Sequence, residues 1–115
     1  MESDGIKLLV KSLRVLALNA SQQKEYLRDL GTYPSTDEIA IEFDDAFKFF
    51  ISNNEHEKFE GTKFLLNVNL INDKLDFFSS LEESEIWYVD SLDKEPWCEI
   101  RQLAIDSISA LDYLS

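Results

Sequence analysis

The sequence predicts an all-α fold, a compact single domain of five or six helices spanning residues 1–115. Two totals point there first. Three Gly and two Pro are few for a turn-rich β protein, and a 44% hydrophobic content with eight Phe, four Tyr and two Trp supplies a core. The third observation is periodicity: apolar residues return every three or four positions in one segment after another.

In residues 4–18, Ile6, Leu9, Leu13 and Leu16 recur at helical spacing with Val10 and Ala17 beside them. Lys7, Lys11 and Arg14 take the opposite side, and this is the chain's basic segment. Asn19 or Ser21 can cap a second helix through residues 22–30, with Tyr26, Leu27 and Leu30 on its apolar side. The alternative is one bent helix from 4 to 30. Gly31 then ends it, and residues 32–35 form a turn around Pro34.

Ser35-Thr-Asp-Glu38 has the spacing of a capping box and starts a third helix over 37–50. Its buried stripe is Ile39, Phe43, Ala46, Phe47 and Phe50. At about 100° per residue, Glu38, Glu42 and Asp45 share one flank and Asp37 and Asp44 the other. Ile41 and Phe49 fit neither division, because both project among the acids. Residues 52–61 are polar and read as a loop with at most a helical turn.

A long helix follows. Phe64, Val68, Ile71, Leu75 and Phe78 form its row, broadened by Leu66, Leu70 and Phe77, so it should be the central, most buried helix. Residues 81–85 are polar, and 86–92 read as a brief helix. The last helix takes Asp93 as N-cap and Pro96 in its first turn. Its face is Trp97, Ile100, Ala104, Ile108 and Leu111, widened by Leu103 and Ile105.

Twenty-three Asp plus Glu against eleven Lys plus Arg give a net charge of −12. Such a surface repels nucleic acid and anionic lipid and speeds encounter with a basic protein. The bland counterpart is solubility. A single cysteine, Cys98, cannot form an internal disulfide and favours a reducing compartment. Acids precede and bases interrupt the apolar N-terminal residues, unlike a signal peptide, and no apolar run reaches the length of a membrane span. A soluble, cytoplasmic protein is expected.

Catalytic chemistry finds little to stand on. There is one His and one Cys, and nothing brings His56 beside Cys98. Cys98, next to Trp97, reads as a small packed hydrophobe. The Glu-x-x-His pairs of di-iron bundles, calcium loops and glycine-rich phosphate cradles have no counterpart here. Adjacent Asp44 and Asp45 point about 100° apart and cannot share a general acid–base task. Glu38, Glu42 and Asp45 could hold a hard cation weakly, but a solvated helix face is much the better account of them. No enzyme and no cofactor are expected.

Several fragments carry a resemblance. They are Tyr26-Leu27 with Leu30-Gly31, Pro34-Ser35, the run from Asp37 to Asp45, Pro96-Trp97, Ile100-Arg101 and Leu103-Ala104. With its size and acidity, the chain resembles small, acidic, helical immunity proteins of bacterial toxin–immunity pairs, including those of contact-dependent growth inhibition. The likeness covers most of the length and rests on size, acidity and spacing. It implies a stoichiometric inhibitor of a cognate toxin, often a nuclease with a basic active site that an acidic partner covers by imitating phosphate charge. The expected contact residues are Glu38, Ile41, Glu42, Asp45 and Phe49 on the third helix. To these are added Glu82, Glu83, Glu85, Trp87, Tyr88 and Asp90 before the last helix. Core packing is an equal claim on Trp87 and Tyr88. Competing readings are a helical adaptor or assembly subunit without a toxin partner, and a carboxylate metal-binding protein.

Overall fold

Periodic apolar positions become helices throughout the computed structural model, which describes residues 4–31, 33, 35–80 and 87–114, without the side chain of residue 114. The α-helices are α1 (Asp4–Ala17), α2 (Ala20–Leu30), α3 (Asp37–Ser52), α4 (Lys63–Ser79) and α5 (Trp97–Leu114). Short 3-10 helices cover Glu55–Phe59 and Val89–Ser91, the second within the brief helix expected before α5. Among the described residues there is no strand, only an isolated antiparallel bridge between Ser35 and Tyr88.

α1 buries Leu9, Leu13 and Leu16 and leaves Lys7, Lys11 and Arg14 exposed, as their spacing requires. Its N-terminal amides are satisfied from fifty residues away: Gly5 and Ile6 donate their N–H groups to the buried Glu55 carboxylate at 3.1 and 2.9 Å. A Cβ at position 5 would overlap that carboxylate, so the close approach needs glycine. The chain then breaks between α1 and α2. Asn19 Oδ1 accepts from the Gln22 amide at 2.9 Å, and Gln22 Oε1 accepts from the Asn19 amide at 3.2 Å. This reciprocal box makes two helices rather than one bent one. Gly31, at φ 78°, ends α2 in the left-handed region.

α1 lies between α3 and α5, and α5 packs in turn on α4. All five helices feed one apolar cluster, whose bulkiest members are Trp97, Phe43, Phe50 and Phe64. A buried polar hub ties the end of α1 to α2 and α5. Gln23 Nε2 donates to the Val15 and Leu16 carbonyls, each at 3.1 Å. Arg101 donates to the Leu18 carbonyl at 2.6 Å, the Leu92 carbonyl at 2.7 Å and Gln23 Oε1 at 2.8 Å. The bonds to the Leu16 and Leu18 carbonyls satisfy acceptors that the helix break leaves open.

Four expectations are corrected. The capping box at Ser35–Glu38 does not form, and Thr36 is the residue flanking α3. Ser35 Oγ accepts from the Asp37 amide two residues on, while the Thr36 N–H donates to the Trp87 carbonyl at 3.1 Å. Pairing with residues 87 and 88 holds this backbone in a bridge and displaces the cap. α4 is an outer helix, not the central one. Phe64, Val68, Ile71 and Leu75 are buried, but Leu66, Leu70 and Phe77 lie on its opposite side, facing outward. Its apolar residues form two stripes, and only one meets neighbours. Asp93 does not cap α5: the helix starts at Trp97, after Pro96, and Glu95 Oε2 accepts from the Glu99 amide at 3.2 Å. Ile105 is exposed rather than part of the α5 face.

Candidate protein-binding surface

α3 carries acids on both sides of its buried stripe because their spacing sends Glu42 and Asp45 one way and Asp37 and Asp44 the other. Tertiary packing turns each side into a groove, one against α1 and one against α4. The two differ in how their acids are engaged.

The α1-side groove, of about 330 Å³, is lined by Leu8, Lys11, Ser12, Glu42, Asp45, Ala46 and Phe49. Phe49 is half-buried and stands outside the main apolar cluster. Glu42 is committed internally: the Tyr26 hydroxyl from α2 donates to its two oxygens, at 2.6 and 2.7 Å. Burial pushes the Tyr26 phenol well above its ordinary value, helped by the hydrogen bond to Glu42 and by the Glu42 and Glu38 charges. Glu38 is half-buried on the same side. With Glu42 and Asp45 against Lys11, this groove is negative too, but the Glu42 oxygens are taken up inside the fold by the Tyr26 hydroxyl.

The α4-side groove, of about 410 Å³, has Ala40, Ile41, Leu75 and Trp87 as its apolar lining. Asp37, Asp44 and Asp76 stand around them, together with Lys48. Lys48 pairs with Asp44 at 2.7 Å, one helical turn away, and the hydrogen bond to Asp44 holds its ammonium above the usual lysine range. Asp76 accepts from Asn72 Nδ2 at 3.4 Å. One cation among three carboxylates leaves this groove negative. Ile41 is 49% exposed, so its misfit to the core stripe is real.

The segment before α5 joins this groove. Its backbone is held to the start of α3 by the Thr36–Trp87 hydrogen bond and the Ser35–Tyr88 bridge. Trp87 is half-buried, with its ring edge-on to Trp97 at 6.4 Å between centroids, and lines the groove as well. Tyr88, 62% exposed, points away from the core, and Asp90 is exposed on the 3-10 helix. The two aromatic residues therefore divide between core edge and surface. Glu82, Glu83 and Glu85 lie outside the described residues.

The structure thus brings Ile41 and Trp87 into one groove, with Tyr88 next to Trp87 and bridged to Ser35, and separates them from Glu42, Asp45 and Phe49. Sequence reasoning left Asp37, Asp44 and Asp76 out of the expected contact set, although it put Asp37 and Asp44 on one flank of the helix. Asp37, Ile41 and Asp44 follow i, i+4, i+7 spacing, a signal that was available. Asp76 and Leu75 come from another helix, and only packing could add them.

Chemistry beyond binding has few groups to draw on. Among the described residues, no three His, Cys, Asp or Glu side chains gather closely enough to hold a metal. His56 packs edge-on against Phe50 with its Nδ1 buried and unpartnered. Cys98, half-buried at the start of α5, has the Arg101 guanidinium 3.9 Å from its sulfur. No described helix is long and apolar enough to cross a membrane. Comparison with protein-family models, curated proteins and solved structures finds no match to this chain.

Proposed function

We propose that this chain is an immunity-type binding protein that neutralises a basic, nuclease-like bacterial toxin by covering its active site. The α3/α4 groove carries the reading: an apolar lining with exposed Ile41 and half-buried Trp87, which the exposed Tyr88 follows in the chain, among three described carboxylates and one paired lysine. Apolar anchors inside a polar rim are what slow dissociation of protein complexes. Uncompensated acids on a molecule of net charge −12 raise the rate of encounter with a cationic partner. Asp37, Asp44 and Asp76 stand in for substrate phosphates toward the toxin's basic residues, while Ile41 and Tyr88 exclude water from the contact. The protein itself performs no reaction in this scheme and needs no cofactor, nucleic acid or membrane.

The test is to purify the chain with a candidate toxin encoded by a neighbouring gene and measure complex formation and toxin activity together. Nanomolar or tighter binding with stoichiometric loss of toxin activity supports the proposal. A purified chain that neither binds nor inhibits that toxin ends it.

A further inference from the structure

The α3/α4 groove also points to the side chain it takes from a partner, an inference that rests on the binding role proposed above. Three segments build its wall: Ile41 comes from α3, Leu75 from α4 and Trp87 from the chain before α5. Trp87 is half-buried, with its ring edge-on to Trp97, so packing fixes the indole while part of it stays at the groove. Asp44 enters from α3 and Asp76 from α4, and the charges of both favour the protonated form of one ammonium, that of Lys48. A cation thus already lies within reach of acids from two helices. The Lys48 side chain is 73% exposed, and an entering cation can displace it into water at little cost.

We propose that this groove takes a single arginine of the basic partner, with its guanidinium between Asp44 and Asp76 and against Trp87, and its methylene stem along Ile41 and Leu75. Acids on two helices match the fork of donors that a guanidinium carries and the compact ammonium of lysine lacks. The indole gives the same preference, because a guanidinium stacks on aromatic rings and is more weakly hydrated than an ammonium. An acidic occupant is repelled, and a wholly apolar one would close carboxylates off from water without a counter-charge. A second copy of this chain is a poor source of the arginine. Arg101 is bound inside the fold, Arg28 lies over the Tyr33 ring at 4.5 Å, and Arg14 sits on a molecule of net charge −12.

Titrating the isotope-labelled full chain with N-acetyl-arginine amide, and separately with N-acetyl-lysine amide, tests this by NMR without a toxin. The arginine amide should move the Trp87 indole signal and the backbone amides of Ile41, Asp44 and Asp76, with an apparent Kd at least threefold below that of the lysine amide. Trp87→Leu should bring the two probes to the same Kd, a loss of discrimination that a purely structural Trp87 would not cause. Asp76→Asn, at an exposed position, should weaken the arginine amide at least threefold, and it decides the matter if the Trp87 variant does not fold. Equal Kd values for the two probes overturn the inference, as do shifts that map elsewhere or an arginine preference indifferent to both substitutions. Sedimentation showing a homodimer abolished by Arg14→Ser would assign the groove to a second copy and overturn it too. The two readings fail separately: a chain that neutralises its toxin without preferring arginine removes this inference alone, and one that prefers arginine but neutralises no toxin removes only the earlier reading.

Discussion

Glu55 and Asp37 are both carboxylates near the end of a helix, and they have opposite fates. Glu55 is buried, accepts two amide hydrogens from α1 and is matched to a glycine that lets it come close. Asp37 stays exposed beside a groove already bearing Asp44 and Asp76. Glu42, held by Tyr26 from another helix, differs in the same way from Asp44 and Asp76, whose donors Lys48 and Asn72 come from their own helices at the surface. Carboxylates that meet donors inside the protein stabilise the fold. Those left among other carboxylates raise the energy of the free surface, and a cationic partner relieves it. Acidity alone therefore does not mark a site; the donor each acid finds does.

The contrast can be broken most severely at Glu55. Glu55→Ala removes the acceptor of two N–H groups and should destabilise the fold by about 3 kcal/mol in urea unfolding. Gly5→Ala should approach that cost. Either variant, once folded, should bind the partner as the parent does.

Tyr26→Phe should cost about 1 kcal/mol, the usual value of a lost hydrogen bond. It should also change the alkaline limb of stability. The folded-state pKa of Tyr26 lies above its value of 10.0 in the unfolded chain, so its contribution is complete below pH 10 and declines as pH rises further. The stability gap between parent and Tyr26→Phe should narrow above pH 10; a constant gap would mean that Glu42 does not hold the phenol.

On the outward side, Ile41→Ser should leave stability within about 0.5 kcal/mol and speed dissociation of the partner complex roughly fivefold, about 1 kcal/mol. The smallest effect on binding is expected at Phe49→Ala, on the α1 side of the helix: under about 0.5 kcal/mol in affinity, with a stability loss of about 1 kcal/mol. A tenfold loss of binding there would move the contact to the α1 side.

Much of this architecture was legible residue by residue. Leu9, Leu13 and Leu16 announced α1, and Gly31 ended α2 where its freedom at positive φ is needed. Ile41 stood out correctly as a residue its helix cannot bury. What escaped depends on distant partners. The box at Ser35 lost to backbone pairing with Trp87 and Tyr88, more than fifty residues later. The cap of α1 is Glu55, with no local trace in the sequence around Gly5. Periodicity located both apolar sides of α4 without telling which would be covered, and so exchanged its place with that of α1. For the surface, spacing separated the acids into two sets, but their inward or outward use turned on Tyr26, Lys11 and Asp76 arriving from other helices.

The central claim is that Asp37 and Asp44 act on a partner more than on the fold. The direct measurement is the association rate of the double variant Asp37→Lys, Asp44→Lys with the partner that the binding test identifies, set against the parent at low and physiological salt. The expected result is a stability loss of about 1 kcal/mol, from the first-turn acid and the ion pair of Asp44 one helical turn on, with an association rate at least tenfold lower and a weaker dependence on salt. A variant that associates as fast as the parent, with the same salt dependence, would contradict the account.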